Sequence, residues 1–227
     1  MARTPGEFPT GRGKPPSFVH RIRAGLAIGA VGLLFAASPA HATIVGLNQI
    51  VTPDIQPTGV LALSAQFQHP LIGNSQMLQF ELGVTPQFEV AWFQGFKPGE
   101  GIFSTELNLL KQGPHLLTIG AINGSTRGGA PQPVVEYGYN TGTDYFVVGA
   151  TRADGRDGLL AGYKHVVSEK LQVSADFASG AANAVTVGLT YNFAPSLSIN
   201  PALYRLNFQP HHLLGYVVLT WNVVLWH

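Results

Sequence analysis

Ala184-Val-Thr-Val-Gly-Leu-Thr-Tyr-Asn-Phe193 places Val185, Val187, Leu189, Tyr191 and Phe193 at every second position, with Thr186, Gly188, Thr190 and Asn192 between them. Successive side chains on a strand point to opposite faces, so this stretch is a strand with one apolar face and one small, polar face. Its β-branched and aromatic residues suit a pleated, half-buried surface. The pattern recurs. Leu171, Val173, Ala175 and Phe177 alternate with Gln172, Ser174 and Asp176, and Leu78, Phe80, Leu82 and Val84 alternate with Gln79, Glu81 and Gly83. Beyond residue 42 no segment combines a 3.6-residue period with caps. That part of the chain reads as all β.

Turn residues divide it. Strands are predicted near 58–68, 75–84, 87–97, 101–112, 115–124, 133–139, 143–152, 158–167, 171–180, 184–193, 196–208 and 212–225, about twelve in all within a range of ten to fourteen. The connections after even strands are tight: Thr85-Pro86, Gly113-Pro114, Asn140-Thr-Gly142, Ser168-Glu-Lys170 and Ala194-Pro195. Those after odd strands are mostly longer, as at His69–Asn74 and Ser125–Pro133. A ten-residue strand rises roughly 33 Å, and a tilt near 40° leaves about 25 Å along the axis of a closed barrel, the height of a lipid-facing band.

Composition points the same way. Charged residues make up 11% of the chain, against about 25% in an ordinary soluble domain. Yet no run after Ala42 is long and apolar enough for a transmembrane helix. Low charge with 27 glycines fits apolar residues spread over many strands, each showing one face to lipid. The expected fold is an antiparallel up-and-down transmembrane β-barrel occupying 58–227. A soluble periplasmic ligand-binding barrel, which also alternates but turns its apolar face inward, is the competing reading. Aromatic residues beside the turns (Phe88, Trp92, Phe96, Tyr137, Tyr139, Tyr145, Trp221) favour lipid outside.

The N-terminus predicts export. Arg3, Arg12, Lys14, Arg21 and Arg23 precede the apolar run from Ala24, which ends at Ser38-Pro-Ala-His-Ala42. A basic region, a short apolar core and a small-x-small site form the pattern of a secretory signal peptide, cleaved after Ala42. The apolar run of about 14 residues is short of the roughly 20 that span a bilayer. What remains carries eight basic and eleven acidic residues, so no basic surface for nucleic acid is expected. The chain has no cysteine, which excludes lipoprotein acylation, disulfides and thiolate metal sites.

The last stretch, Leu213-Leu-Gly-Tyr-Val-Val-Leu-Thr-Trp-Asn-Val-Val-Leu-Trp-His227, alternates Val217, Leu219, Trp221, Val223 and Leu225. It resembles the C-terminal strand of Gram-negative outer-membrane β-barrel proteins, although that pattern usually ends in Phe or Trp rather than His227. The resemblance implies two partners: outer-membrane lipid and the barrel assembly machinery. It specifies no oligomeric state. Residues 43–57 stand apart from the alternation. Asn48-Gln-Ile-Val-Thr-Pro-Asp-Ile-Gln-Pro-Thr-Gly59 resembles the stretch that precedes the first strand in exopolysaccharide-associated outer-membrane barrels. It is expected to be an extended periplasmic lead-in, with insertion into the barrel mouth as the alternative.

Charges expected on the inner face are Glu81, Glu89, Glu106, Glu136, Arg152, Lys164, Asp176 and Arg205, lining the lumen as ion-pair networks or as the wall of a water channel. Lys97 is a further candidate partner for the carboxylates. Arg152 falls in phase with Phe146 and Val148, so its strand fits poorly or contains a bulge. Six histidines follow residue 42, and none falls beside a serine in a nucleophile–base arrangement. His211-His212 and Asp154-Gly-Arg-Asp-Gly158 read as loop and turn rather than as metal sites. No catalytic residue, metal or cofactor is expected. The expected function is a barrel of structural or passive-pore type, open to diffusion of small solutes. A barrel enzyme acting on lipid is the runner-up.

Overall fold

The computed structural model describes residues 46–96, 99–209 and 211–226. The signal-peptide segment, Lys97 and His227 lie outside the described residues.

Twelve strands follow one another in the chain: β1 Val60–Gln68, β2 Gln76–Thr85, β3 Phe88–Phe96, β4 Gly99–Gln112, β5 His115–Ser125 and β6 Gln132–Asn140. They continue with β7 Asp144–Ala153, β8 Arg156–Val166, β9 Leu171–Ala178, β10 Ala184–Ala194, β11 Leu197–Leu206 and β12 Leu213–Val224. Each pairs antiparallel with its chain neighbours, and β12 pairs with β1, so the sheet closes into an up-and-down barrel without edges. Closure satisfies the strands' backbone groups within the sheet, which is what a strand needs to stand in hydrocarbon. The first residues of β1, the last of β12 and the turns after even strands share one end, called the terminal end below. The longer connections share the other, the loop end.

Alternation decides which side faces in. On β2, Met77, Gln79 and Glu81 are buried while Leu78 and Phe80 are exposed. On β10, Thr186 and Asn192 are buried while Val187, Tyr191 and Phe193 are exposed. Polar residues thus face the lumen, and large apolar side chains cover the outside, among them Val148, Leu159, Val187 and Trp221. This inverts a soluble barrel and matches a lipid-embedded one. A row of outward rings near the terminal end (Phe88, Tyr137, Tyr139, Tyr191, Phe193) occupies the level at which membrane barrels carry an aromatic girdle.

Local chemistry accounts for the details. Asp154 and Gly155 both have positive φ, 51° and 73°, the two-residue turn that suits the twist of a hairpin, so β8 begins at Arg156 rather than near 158. Pro201 sits inside β11 without an amide proton for its partner on β10. The carbonyl of Leu189 instead accepts the side-chain amide of Asn200 at 3.0 Å.

The segment before β1 departs from the sequence expectation. Residues 46–57 do not extend away from the barrel; they fold into it. The chain turns at Leu47–Ile50, where the Leu47 amide donates to the Ile50 carbonyl at 3.0 Å, and then runs back to the terminal end to start β1. Leu47 and Ile50 join Leu116, Val134, Tyr145, Val147 and Leu160 of the inner wall in one buried cluster. Burial of two large aliphatic side chains contributes about 1.5–3 kcal/mol each, a gain that a segment held in periplasmic water would forgo. Gly162 and Gly188 make the room. A Cβ on Gly162 would overlap the Leu47 side chain, and one on Gly188 would overlap that of Asn48.

Candidate functional site

Among the described residues, buried polar chemistry accumulates in the lumen, and three groups of residues build it.

The first is the inserted segment and its receptors. The amides of Asn48 and Gln49 donate to one oxygen of Asp176, at 2.7 and 3.2 Å. The Asn48 side-chain amide donates to Thr186 at 3.0 Å, and its carbonyl oxygen accepts from Ser174 at 3.1 Å and Asn200 at 3.3 Å. The Tyr204 hydroxyl donates to the Asn48 backbone carbonyl. Further down, Asn108 and Thr118 donate to the Pro53 carbonyl at 3.0 and 3.1 Å, and the Gln56 amide donates to Glu89 at 2.7 Å. Each such bond is worth about 0.5–1.5 kcal/mol net, more where a carboxylate accepts. The segment is therefore a docked plug, held along its length by inner-wall side chains of β3, β4, β5, β9, β10 and β11.

The second group is acidic. Glu81, Glu89, Glu106, Glu136 and Asp176 are all buried on the inner face. Glu89 and Glu106 stand directly opposite one another on β3 and β4, a cross-strand pairing that is unfavourable for like charges. Glu136 is 1% exposed, and neither of its carboxyl oxygens has a hydrogen-bond partner among the described residues. Lys164 also faces inward, its ammonium 5.1 Å from the centre of the Tyr145 ring, a cation–π arrangement. Lys111 and Arg156 share inner registers but stand exposed at the two rims.

The structure thus places Glu81, Glu89, Glu106, Glu136, Lys164 and Asp176 in the lumen. Arg152 and Arg205 lie elsewhere. Arg152 points outward in phase with Phe146 and Val148, and pairs across its hairpin with Asp157 at 3.5 Å; β7 needs no bulge to put it there. Arg205 points outward in phase with Leu203. Both stand at the loop end of their strands, where the outer face leaves the apolar band and a guanidinium can reach headgroups or water. An inner position follows from charge alone only within the apolar band, and these two arginines lie at its rim.

The third group carries no mark in the sequence. Above the plug, towards the loop end, lies a cavity of about 640 Å³, with Asn48–Val51 as its floor. Gln66, Gln68, Gln79 and Asn74 form part of its wall, with Phe93 and Tyr216. Nothing in a strand-by-strand reading marks these glutamines as a set, since their proximity depends on register between β1 and β2.

The histidines make other contacts. His115 bonds the Tyr137 hydroxyl at 2.6 Å, and His165 bonds Asp144 at 2.8 Å beside Tyr163, both on the outer face. Among the described residues none of these arrangements brings a serine to a histidine.

No protein-family model matches the chain, and no curated protein matches it. Solved structures do. The KdgM porin aligns with a TM-score of 0.54 at 7% identity, over 71% of this chain and 98% of that one. The KdgM porin in complex with disordered oligogalacturonate aligns at 0.55 and 7%, with the same coverage. A NanC porin structure gives 0.48 at 8% identity, covering 72% of this chain and 98% of that one. At such identities the likeness is one of fold. With a closed twelve-strand barrel, a polar interior and an apolar exterior, the chain has the fold of outer-membrane β-barrel proteins.

Proposed function

We propose that the chain is an outer-membrane channel barrel of the passive type, closed at rest by residues 46–57 and favouring small neutral or cationic solutes when that segment yields. In this reading residues 1–42 direct export, and β12 presents Leu219, Trp221 and Val223 outward to the assembly machinery and then to lipid. The observation that carries the reading is the acidic make-up of the inner face: among the described residues, five buried carboxyl groups share the lumen with the amine of Lys164. Once the plug yields and water reaches them, these groups ionise, and carboxylates in a narrow passage attract cations and repel anions. The oligogalacturonate of the KdgM complex is a polyanion, so its binding is not carried over to this lumen.

Planar-bilayer recording of the purified full-length protein tests this. Brief, small openings with a cation-directed reversal potential in a salt gradient are expected. A steady, anion-selective current would overturn the proposal. The docked plug favours one other reading, a permanently closed structural barrel. That reading predicts silence even after the plug has been displaced.

A further inference from the structure

We propose that the loop-end cavity is a binding site for a neutral saccharide of two or three units. This goes beyond the channel reading and holds whether or not the barrel conducts.

A fixed row of carboxamides crosses the wall. Gln79 donates to the side-chain carbonyl of Gln66, Gln66 donates to that of Gln68 at 2.8 Å, and Gln68 donates to the backbone carbonyl of Asn74 at 2.9 Å. Each carboxamide offers two donors and a two-lone-pair acceptor, more than the row consumes. The row therefore holds its amides in place while leaving valences for a ligand. Two further amide atoms on residues that line the same cavity are buried without a partner among the described residues: the Asn74 side-chain oxygen, on a residue 6% exposed, and the Gln49 side-chain nitrogen. One is an acceptor and the other a donor. A buried polar atom without a partner is costly, and hydroxyl groups, which donate and accept at once, complete both. Gly95 gives Asn74 its place, since a Cβ there would collide with that side chain.

Aromatic rings flank the row. Phe93 is the direct cross-strand neighbour of Gln79, and Tyr216 is that of Gln68. Rings beside amides offer apolar platforms for the C–H faces of a pyranose while the amides take its hydroxyls. The size fits, since 640 Å³ lies within the usual range for small-ligand pockets. Charge narrows the class. Glu81 and Glu100 line the cavity, and among the described residues no basic side chain does, so a uronic or sialic acid would meet repulsion without a counter-ion.

Calorimetric titration of the detergent-solubilised full chain with maltotriose, cellotriose, triacetylchitotriose, trigalacturonate and spermidine tests the assignment. Saturable binding of at least one neutral trisaccharide is expected, at least about tenfold tighter than trigalacturonate. Gln79→Ala and Asn74→Ala should each weaken that binding by about tenfold, with heat-modifiable gel migration showing that the barrel still forms. Gln94→Ala, on the outer face of β3, should leave it unchanged. The proposal is overturned if no neutral sugar binds, if trigalacturonate or spermidine binds as tightly, or if neither inner-face variant affects binding.

Discussion

Two regions of the lumen are made from the same alternating strands, yet one is filled by the plug and the other, beside β1 and β2, holds a cavity. Around the plug the inner wall combines apolar residues, glycines and hydrogen-bonding groups: Leu116, Val134, Tyr145 and Leu160 receive Leu47 and Ile50, Gly162 and Gly188 leave space for the turn, and Asn108, Thr118 and Asp176 bond the segment. Towards the loop end, the inner positions of β1 and β2 carry Gln66, Gln68 and Gln79, which bond to one another instead of to the plug. Lumen occupancy is thus set by side-chain volume and hydrogen-bond demand at a few inner positions rather than by barrel size. A missing Cβ admits chain, and a self-bonded amide row keeps chain out.

The largest test of that contrast is to fill the space. Gly188→Val and Gly162→Leu put side chains where Asn48 and Leu47 now sit, and even the first carbon of each would collide with them. Overpacking of this kind costs about 1–3 kcal/mol or more per site. The double variant should expel the plug, turning brief openings into sustained current and exposing residues 46–57 to added protease. Retention of the closed state would mean that the plug docks by its bonds alone.

Those bonds give a smaller effect. Asn48→Ala keeps the backbone amide on Asp176 but deprives Thr186, Ser174 and Asn200 of their common partner. A loss of about 2–3 kcal/mol in plug docking is expected, read as more frequent openings and faster proteolysis at 46–57. The barrel's own thermal transition should hardly move, because none of these bonds belongs to the strand ladder.

Most of the barrel could be read from the sequence because it depends on local alternation and turn residues, and both are written at short range. Strand limits such as Leu171 for β9 and Ala184 for β10 follow from them. The inner carboxylates were also legible, since Glu81 or Asp176 in a period-2 strand can only face away from its apolar neighbours. The plug was not. Leu47 and Ile50 have no periodic partner in sequence, and their binding partners lie more than 60 residues away on β5 to β8. The signal present was indirect: Gly162 and Gly188 lie on the inner phase of strands that otherwise bear side chains there. The amide row was equally hidden, because Gln66 and Gln79 meet only through the register of β1 and β2.

With the plug expelled, the acidic wall is open to passing ions. In the Gly162→Leu, Gly188→Val background, Glu106→Gln should move the reversal potential towards zero by removing one of the directly opposed pair with Glu89. The same substitution with the plug in place should change little, since few ions pass.

Arg152 and Arg205 supply the smallest effect and a control on the whole scheme. Each lies within a few residues of an inner-facing group in sequence, yet the strand's alternation turns it outward, towards the loop-end rim. Arg152 is bonded to an exposed Asp157, with side-chain exposures of 62% and 83%, and such surface pairs contribute about 0–1 kcal/mol. Arg152→Gln and Arg205→Gln in the opened background should therefore leave the reversal potential unchanged, whereas Glu106→Gln, which removes an ionisable group from the inner face, shifts it. If either arginine variant moved selectivity as far as Glu106→Gln does, facing rather than sequence distance would cease to decide which charges a passing ion meets.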